Sequence, residues 1–338
     1  MMNKFFFILF ITFGILLITN ISWAIVNIYM WISHGVQSIL EGKNLLENIY
    51  YSTYIRWIIW ADGLWILSAL IFMLQRKQYK TDSALHYLDY NPIQEPKICV
   101  IIPTYNEELS IEKVVKDFSN QEFVKHIIVI DNNSIDKTAA LAEKCGARVI
   151  RKNQNKGYAH SLVLGLKEAL KTDANIIAAT EADGTFNAYD IKKMLPYLDN
   201  CDMVIGSRQH QVITEKGNQN TILHVWGNYF LAKLIQIKYF SIPHLGIVNL
   251  TDVGCVFRLV RRNGLEKIVE KLTRPNSDIV VGGIGIGLYF TMLGVENDLK
   301  IIEVPITFKK RIGLSKIEPT KRSSIKLGLT FLWLILTS

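Results

Sequence analysis

The 338-residue chain has room for one large domain with accessories or for two of ordinary size, and its apolar fraction of 49% is high for a soluble protein. A net charge of +8 suits an anionic partner, either a phosphate-rich ligand or an acidic membrane surface. With no run of about five or six basic residues and no basic stripe interleaved with aromatics, it argues against nucleic acid. The four cysteines (Cys99, Cys145, Cys201, Cys255) lie too far apart for a zinc or redox motif and read as small core residues in a reducing compartment.

Residues 5–32 carry no charge, and at ~1.5 Å per residue they would cross a ~30 Å hydrocarbon core with length to spare. The rival reading is a cleaved signal peptide ending near SWA, against which the apolar run continues well past Ala24. A second span is predicted over 54–74, Trp-rich at its start but interrupted by Arg56 and by Asp62, which needs a partner or a neighbouring helix. Residues 1–75 therefore read as two transmembrane helices. Arg76, Lys77 and Lys80 come directly after, whereas the loop 33–53 has one Lys against two Glu. The excess of positive charge puts the downstream chain on the cytoplasmic side, so an integral membrane protein with a cytoplasmic domain is expected.

Residues 76–96, polar and containing Pro92 and Pro96, form a linker, and a globular domain begins at about 97. From there strand and helix patterns alternate. KICVIIPTYN (97–106), HIIVIDNNS (126–134), ARVIRK (147–152) and NIIAATEADGT (175–185) read as buried strands. Helices are predicted over 111–121, 136–146 and 159–171. Continuous apolar strands separated by helices predict an α/β, doubly wound, parallel sheet covered on both faces. In such sheets ligands bind beyond the carboxyl ends of the strands, and three of these ends are polar: PTYNEE, DNNSIDKT and EADGT.

Each motif also has a purely structural reading. Asp131 closes a strand, and Ser134 or Asp136 can cap the next helix; a strand-end Asp can also accept hydrogen bonds from a base or ribose. Lys156 and Gly157 precede a helix whose N–H groups can face a phosphate, though a glycine in such a loop is common. Glu181 and Asp183 are a polar turn, or else a divalent-cation site, since hard cations take one or two carboxylates together with the phosphates of a nucleotide. Alternation along extended chain aims the two carboxylates the same way.

The ordered motifs PTYNEE, IDNNSIDKT, NKGYA, EADGT, VIGSR and EVPITFKKRIGLSK, spread over residues 98 to about 316, resemble the family 2 glycosyltransferases of GT-A fold. The likeness is greatest to the branch of dolichol-phosphate mannose synthases and other polyprenyl-phosphate glycosyltransferases. The resemblance implies a GT-A (Rossmann-like) glycosyltransferase domain over 97–316. Pro103, Tyr105, Asn106, Glu107 and Asp131 would hold the nucleoside, with Lys156 and Gly157 also on the donor. Glu181, Ala182 and Asp183 would be the Asp-Xaa-Asp metal motif for Mg²⁺ or Mn²⁺. Arg208, Arg311 and Lys316 would approach donor or acceptor phosphates, with Arg258 beside the acceptor phosphate. Asp252, in TDVGCVFRLVRR, would lie near the acceptor, as a base if the acceptor is a hydroxyl; alternatively it caps a helix-like FRLVRRNGLEKI. Four departures stand out: Glu181 where Asp is usual, Asn132 for a frequent second Asp, Thr185 for a frequent Gln, and Leu314 in GLSK where Glu is common.

The segment 221–240 reads as an interface helix admitting an isoprenoid chain, or as an amphipathic core helix, and 280–294 as a packed core helix. Residues 317–338 form a C-terminal membrane-associated segment or a truncated span. The expected function is inverting, metal-dependent transfer of a hexose from a nucleotide sugar to a polyprenyl phosphate at the membrane. Two alternatives stay open: transfer to a glycan hydroxyl, against which no QXXRW-like stretch occurs in the C-terminal half, and a nucleotide-sugar-binding scaffold with a decayed site.

Overall fold

The structure, a computed structural model, describes residues 53–75, 89–240, 249–275, 277–313 and 321–338, with scattered helical positions between 4 and 40. The chain divides into two units, Met1–Lys77 with Leu336–Ser338, and Gln78–Ile335. In the first, the second expected span forms one helix, α1 (Thr53–Gln75). Its Phe72 ring lies 5.1 Å from that of Phe7 and 5.6 Å from that of Phe10. Among the described residues no helix is long and apolar enough to cross a membrane. The first expected span, 5–32, is described only at scattered helical positions, and Arg76, Lys77 and Lys80 lie outside the described residues.

The second unit runs β1 (Ile98–Thr104), α2 (Ile111–Ser119), β2 (Val124–Asp131), α3 (Thr138–Lys144), β3 (Arg148–Arg151), α4 (Tyr158–Ala169), β4 (Ile176–Ala179) and α5 (Ile191–Met194). It continues with β5 (Met203–Ser207), α6 (Ile222–Lys238), β6 (Arg258–Arg261), α7 (Arg262–Ile268), α8 (Ile286–Glu296), β7 (Ile301–Pro305) and, up to Ile335, α9 (Lys321–Thr337). All seven residues of β1 are buried, as the unbroken apolar run requires of a strand covered on both faces. Helix α4 sits so close to that strand that a Cβ at Gly165 would fall 2.0 Å from Ile101 Cγ2.

The seven strands lie in the order β3-β2-β1-β4-β6-β5-β7. The parallel expectation holds for β3, β2, β1 and β4. Beyond β4 it needs correction, because β6 enters antiparallel between β4 and β5. FRLVRRNGLEKI is accordingly not one helix: Phe257 is buried just before β6, Leu259 and Val260 are buried within it, and only the part after Arg261 is helical. Burial between two strands overrides a local pattern that suits a helix.

The register gathers the polar ends on one edge. Thr104 lies opposite Asp131, Ala179 opposite Arg258, Arg258 opposite Ile205, and Ser207 opposite Pro305. The ends of β1, β2, β4, β5 and β7 and the start of β6 therefore share one rim. As expected for a core helix, α8 buries Ile286, Leu288, Phe290 and Met292. Helix α9 buries Phe331 and Ile335 but leaves Ile325, Leu329 and Trp333 exposed, and α6 leaves Ile222, Leu223, Trp226 and Phe230 exposed.

Candidate active site

The loops after β1 and β2 are stapled to each other before either meets a ligand. Ser134 Oγ accepts from Asn106 N (2.9 Å), Thr138 Oγ1 from Glu107 N (2.8 Å), and Asn106 Oδ1 from Ile135 N (2.9 Å). Asn106 and Asn133 hold positive φ of 51° and 67°, a conformation Asn tolerates better than most residues. Asp131 is fully buried, accepts from Ser134 N, and lies 3.4 Å from Arg151 Nε. It thus has the structural role its position allows, at the base of the rim. Pro103 is buried within β1, and Tyr105 sits in the turn after it.

Asn132 is more than a weakened ligand. Its Oδ1 accepts from Lys152 Nζ (2.5 Å) and Lys156 N (3.1 Å), and its amide donates to Asn155 Oδ1 (2.6 Å). An aspartate here would pair with Lys152; the neutral amide leaves that buried ammonium uncompensated. Burial, with Lys156 nearby, lowers Lys152 to about 8. Gly157, at φ 83°, turns the chain into α4. The Lys156 ammonium lies 3.7 Å from Asp278.

After β4 the chain places Glu181, Ala182 and Asp183 on the rim, Asp183 being only 4% exposed. Asp183 Oδ1 accepts from Thr185 N (3.0 Å) and Thr185 Oγ1 (2.6 Å), so the residue that departs from the family pattern orients the carboxylate. Gly184, at φ 75°, is needed twice over: a Cβ there would also meet Ile312 Cδ1 at 2.8 Å. Burial and the neighbouring Asp183 push Glu181 up to about 8, against the pull of Arg208 and Arg311.

Arg311 arrives from the loop after β7, which is fixed by Lys309 N to Thr185 O (2.8 Å) and Ile312 N to Asp183 O (2.9 Å). Its Nη1 donates to Asp183 Oδ2 at 2.7 Å and its Nη2 to Glu107 Oε1, while its buried Nε has no partner. One guanidinium therefore joins carboxylates from the β1 and β4 ends. Lys316 lies outside the described residues.

A second carboxylate and arginine pair lies alongside. Asp252 Oδ2 accepts from Arg208 Nε (2.7 Å) and Arg208 N (3.1 Å), and Oδ1 from Arg208 Nη2 (2.8 Å) and Gly254 N (3.1 Å). Burial alone would raise Asp252, but Arg208's charge and hydrogen bonds outweigh it and hold the carboxyl below its ordinary 3.8. Four donors and a low proton affinity make it a holder of Arg208 and a poor base. Arg258 also departs from expectation. It is 1% exposed, donates to Cys255 O (2.7 Å) and Gly287 O (3.1 Å), and lies 4.7 Å from the Phe290 ring centroid. Those interactions brace β6 against α8 and leave no surface for an acceptor phosphate.

Sequence reasoning passed over Glu303 on β7. Its carboxylate accepts from Thr251 N (2.7 Å), Thr251 Oγ1 (2.9 Å) and Asp252 N (2.8 Å), and so sets where Asp252 stands. Burial raises it to about 7. The signal was a Glu inside an apolar strand, IIEVP, where a charge needs partners.

Residues 99–268, half of the chain, match the model of glycosyl transferase family 2. The chain belongs to that family. An uncharacterised protein of Methanocaldococcus jannaschii is 30% identical over 218 residues, covering 64% of this chain and 83% of its own. The polyprenol monophosphomannose synthase of Mycolicibacterium smegmatis is 28% identical over 226 residues, covering 64% and 80%. Glucosyl-3-phosphoglycerate synthase from Mycobacterium tuberculosis, crystallised with Mn²⁺, UDP-glucose and phosphoglyceric acid, shares the fold. It has a TM-score of 0.51 and 17% identity, covering 74% of this chain and 88% of its own. The protein is thus a glycosyltransferase of GT-A-like α/β fold, and the scaffold reading falls away.

The family 2 transferase carries carboxylates suited to a divalent cation. Among the described residues no group of three or more metal-type side chains could hold an ion without help. Two carboxylates completed by donor phosphates are the pattern of Mg²⁺ and Mn²⁺ sites, which Glu181 and Asp183 fit, with Arg311 bridging Asp183 to Glu107 beside them.

Proposed function

We propose that the protein moves a hexose from a nucleotide sugar to a polyprenyl phosphate, with inversion at the anomeric carbon and with Mg²⁺ or Mn²⁺ held by Asp183 and Glu181. The observation that carries the acceptor class is the engagement of Asp252. A hydroxyl acceptor must lose a proton, and the carboxylate placed to take it is committed to Arg208. A phosphate monoester, with its second pKa near ~6, is already mostly dianionic at neutral pH and needs no base. The similarity to a polyprenol monophosphomannose synthase points the same way.

The acceptor phosphate oxygen forms a bond to the anomeric carbon as the bond to the donor diphosphate breaks, and the electron pair leaves on that diphosphate. Asp183 and Glu181 would hold the cation, which when bound would supply Lewis-acid stabilisation of the departing charge. Arg311 supplies positive charge from the loop after β7, with Lys316 a further cation by the sequence motif alone, and Arg208, fixed by Asp252, presents its guanidinium without reorganisation. Tyr105 and Asn106 would frame the nucleoside, supported from beneath by the buried Pro103 and Asp131, with Lys156 and Gly157 beside them.

The uncharged run 5–32 anchors the protein in a membrane, and the basic cluster at 76–80 sets the catalytic unit on the cytoplasmic side. Exposed Trp226 and Phe230 on α6 and Trp333 on α9 suit contact with a lipid interface. The test is to incubate full-length protein in detergent with Mg²⁺ or Mn²⁺, polyprenyl phosphate and a panel of labelled nucleotide sugars. Label in the lipid phase from one donor is the expected result. Label on an added glycan and none on lipid would establish the hydroxyl-acceptor reading instead.

A further inference from the structure

The loop before α4 is tied to the rim by a cation that has only neutral partners. Lys152, directly after β3, is 8% exposed, and its ammonium donates to Asn132 Oδ1 (2.5 Å) and Ser161 Oγ (3.2 Å). Its backbone N–H donates to Asp131 O (2.9 Å), while Asn132 N donates to Thr104 O (2.9 Å), so the ends of β1, β2 and β3 are joined here. A lysine this buried is normally paired with an acid, so its retention without one calls for a role.

The charged groups around it are already engaged. Asp131 accepts from Ser134 N and lies 3.4 Å from Arg151 Nε, and Arg151 Nη2 donates to Ser134 O (2.8 Å). The Lys156 ammonium has Asp278 at 3.7 Å, and His160, in the first turn of α4, brings no negative charge.

Both partners of the ammonium hold the loop 153–157. Asn132 Oδ1 also accepts from Lys156 N (3.1 Å), and its amide donates to Asn155 Oδ1 (2.6 Å), which accepts from Gly157 N (2.9 Å). Ser161 Oγ in turn donates to Gly157 O (3.3 Å). The N–H groups of Lys156 and Gly157 are thus committed to side chains, and the group this loop has left for an anionic ligand is the Lys156 ammonium. A hydrogen bond from an ammonium is about twice as strong as a neutral one, so the charge on Lys152 tightens the whole set.

We propose that Lys152 is a positioning residue for the donor: through Asn132 and Ser161 it holds the loop 153–157 so that the Lys156 ammonium meets the nucleotide. The inference rests on the transferase reading above and adds a residue that itself touches neither donor nor acceptor. An aspartate at 132 would pair with the ammonium and keep it charged; the asparagine leaves the hold open to loss of a proton. Burial and the nearby Lys156 place that loss at about 8, so the ammonium is present below this value and given up as pH rises through it.

The test measures binding of UDP, GDP, ADP, CDP and dTDP, each with Mg²⁺, by titration calorimetry between about pH 6.5 and 9. Full-length wild type is compared with Lys152→Met, Lys156→Met, the double variant and Asn132→Asp. At the acid end Lys152→Met should weaken the preferred diphosphate about tenfold. In the Lys156→Met background the same change should cost less than about twofold, because Lys152 acts through Lys156. Wild-type affinity should carry an alkaline loss near 8 that is missing from Lys152→Met and moved to higher pH in Asn132→Asp. Glu181 also titrates at about 8, but in every variant, so the difference from wild type isolates Lys152.

Equal affinity of Lys152→Met and wild type, or losses at the two lysines that simply add, would overturn the positioning role and leave the transferase reading standing. Should Lys152→Met not fold, an alkaline loss that Asn132→Asp leaves in place is decisive against the role. Failure of wild type to bind any of the five diphosphates would remove the donor reading and the role together.

Discussion

Two arginine and carboxylate pairs stand on the same rim and do different work. Arg208 spends its fork on one carboxylate, Asp252, which is closed off by further backbone donors. Arg311 splits its fork between Asp183 and Glu107, which come from two different loops, and leaves Nε unpaired. The first pair is complete in itself, so its chief product is a fixed cation. The second ties one guanidinium to carboxylates from two loops, so a dication could pair with Asp183 and a diphosphate with Arg311. A shared residue type therefore says little about role; the number of partners on each side says more.

The largest effect that would sharpen this contrast is on turnover. Asp183→Asn should lower kcat/KM for transfer by about 10³-fold or more, since it removes charge stabilisation developed in the transition state. Its thermal unfolding midpoint should change little, and a variant as active as wild type would reduce EADGT to a turn. Arg208→Met should act on stability first. It leaves Asp252 buried and unpaired, a loss of about 3–5 kcal/mol readable as a shift in urea midpoint.

Arg311→Gln should separate binding from chemistry. Removing the internal cation frees Asp183, so Mn²⁺ alone should bind up to about tenfold more tightly, while the diphosphate loses a cation and transfer slows. Weaker Mn²⁺ binding, measured by titration calorimetry, would break the comparison. The smallest effect concerns Glu303, whose folded value of about 7 exceeds its ordinary 4.5. A raised carboxyl favours the protonated folded state, so its contribution is fully present below about pH 4.5 and is lost as pH rises through about 7. Glu303→Gln should flatten the decline in urea midpoint between those values.

Much of this was legible in the chain itself. Strands β1 to β4 are dictated by unbroken apolar runs, and their polar ends had to meet because parallel strands carry their carboxyl ends to one edge. The same rule places Asp183, Glu181, Glu107 and Asp131 on that edge. Arg258 and Asp252 were harder, since a basic run after an aspartate looks alike whether it caps a helix, binds phosphate or enters a sheet. Glu303 was hidden because its partners, Thr251 and Asp252, lie about fifty residues upstream.

Periodicity and motif order are local properties of the chain, so they sufficed for the family, the parallel half of the sheet and the candidate carboxylates. It took the folded arrangement to decide that β6 runs antiparallel, that Arg258 is a brace and Asp252 a holder, and that Arg311 lies across Asp183 and Glu107. These depend on which distant groups end up buried together, and burial sets whether a charge must be paired, neutralised or left for a ligand.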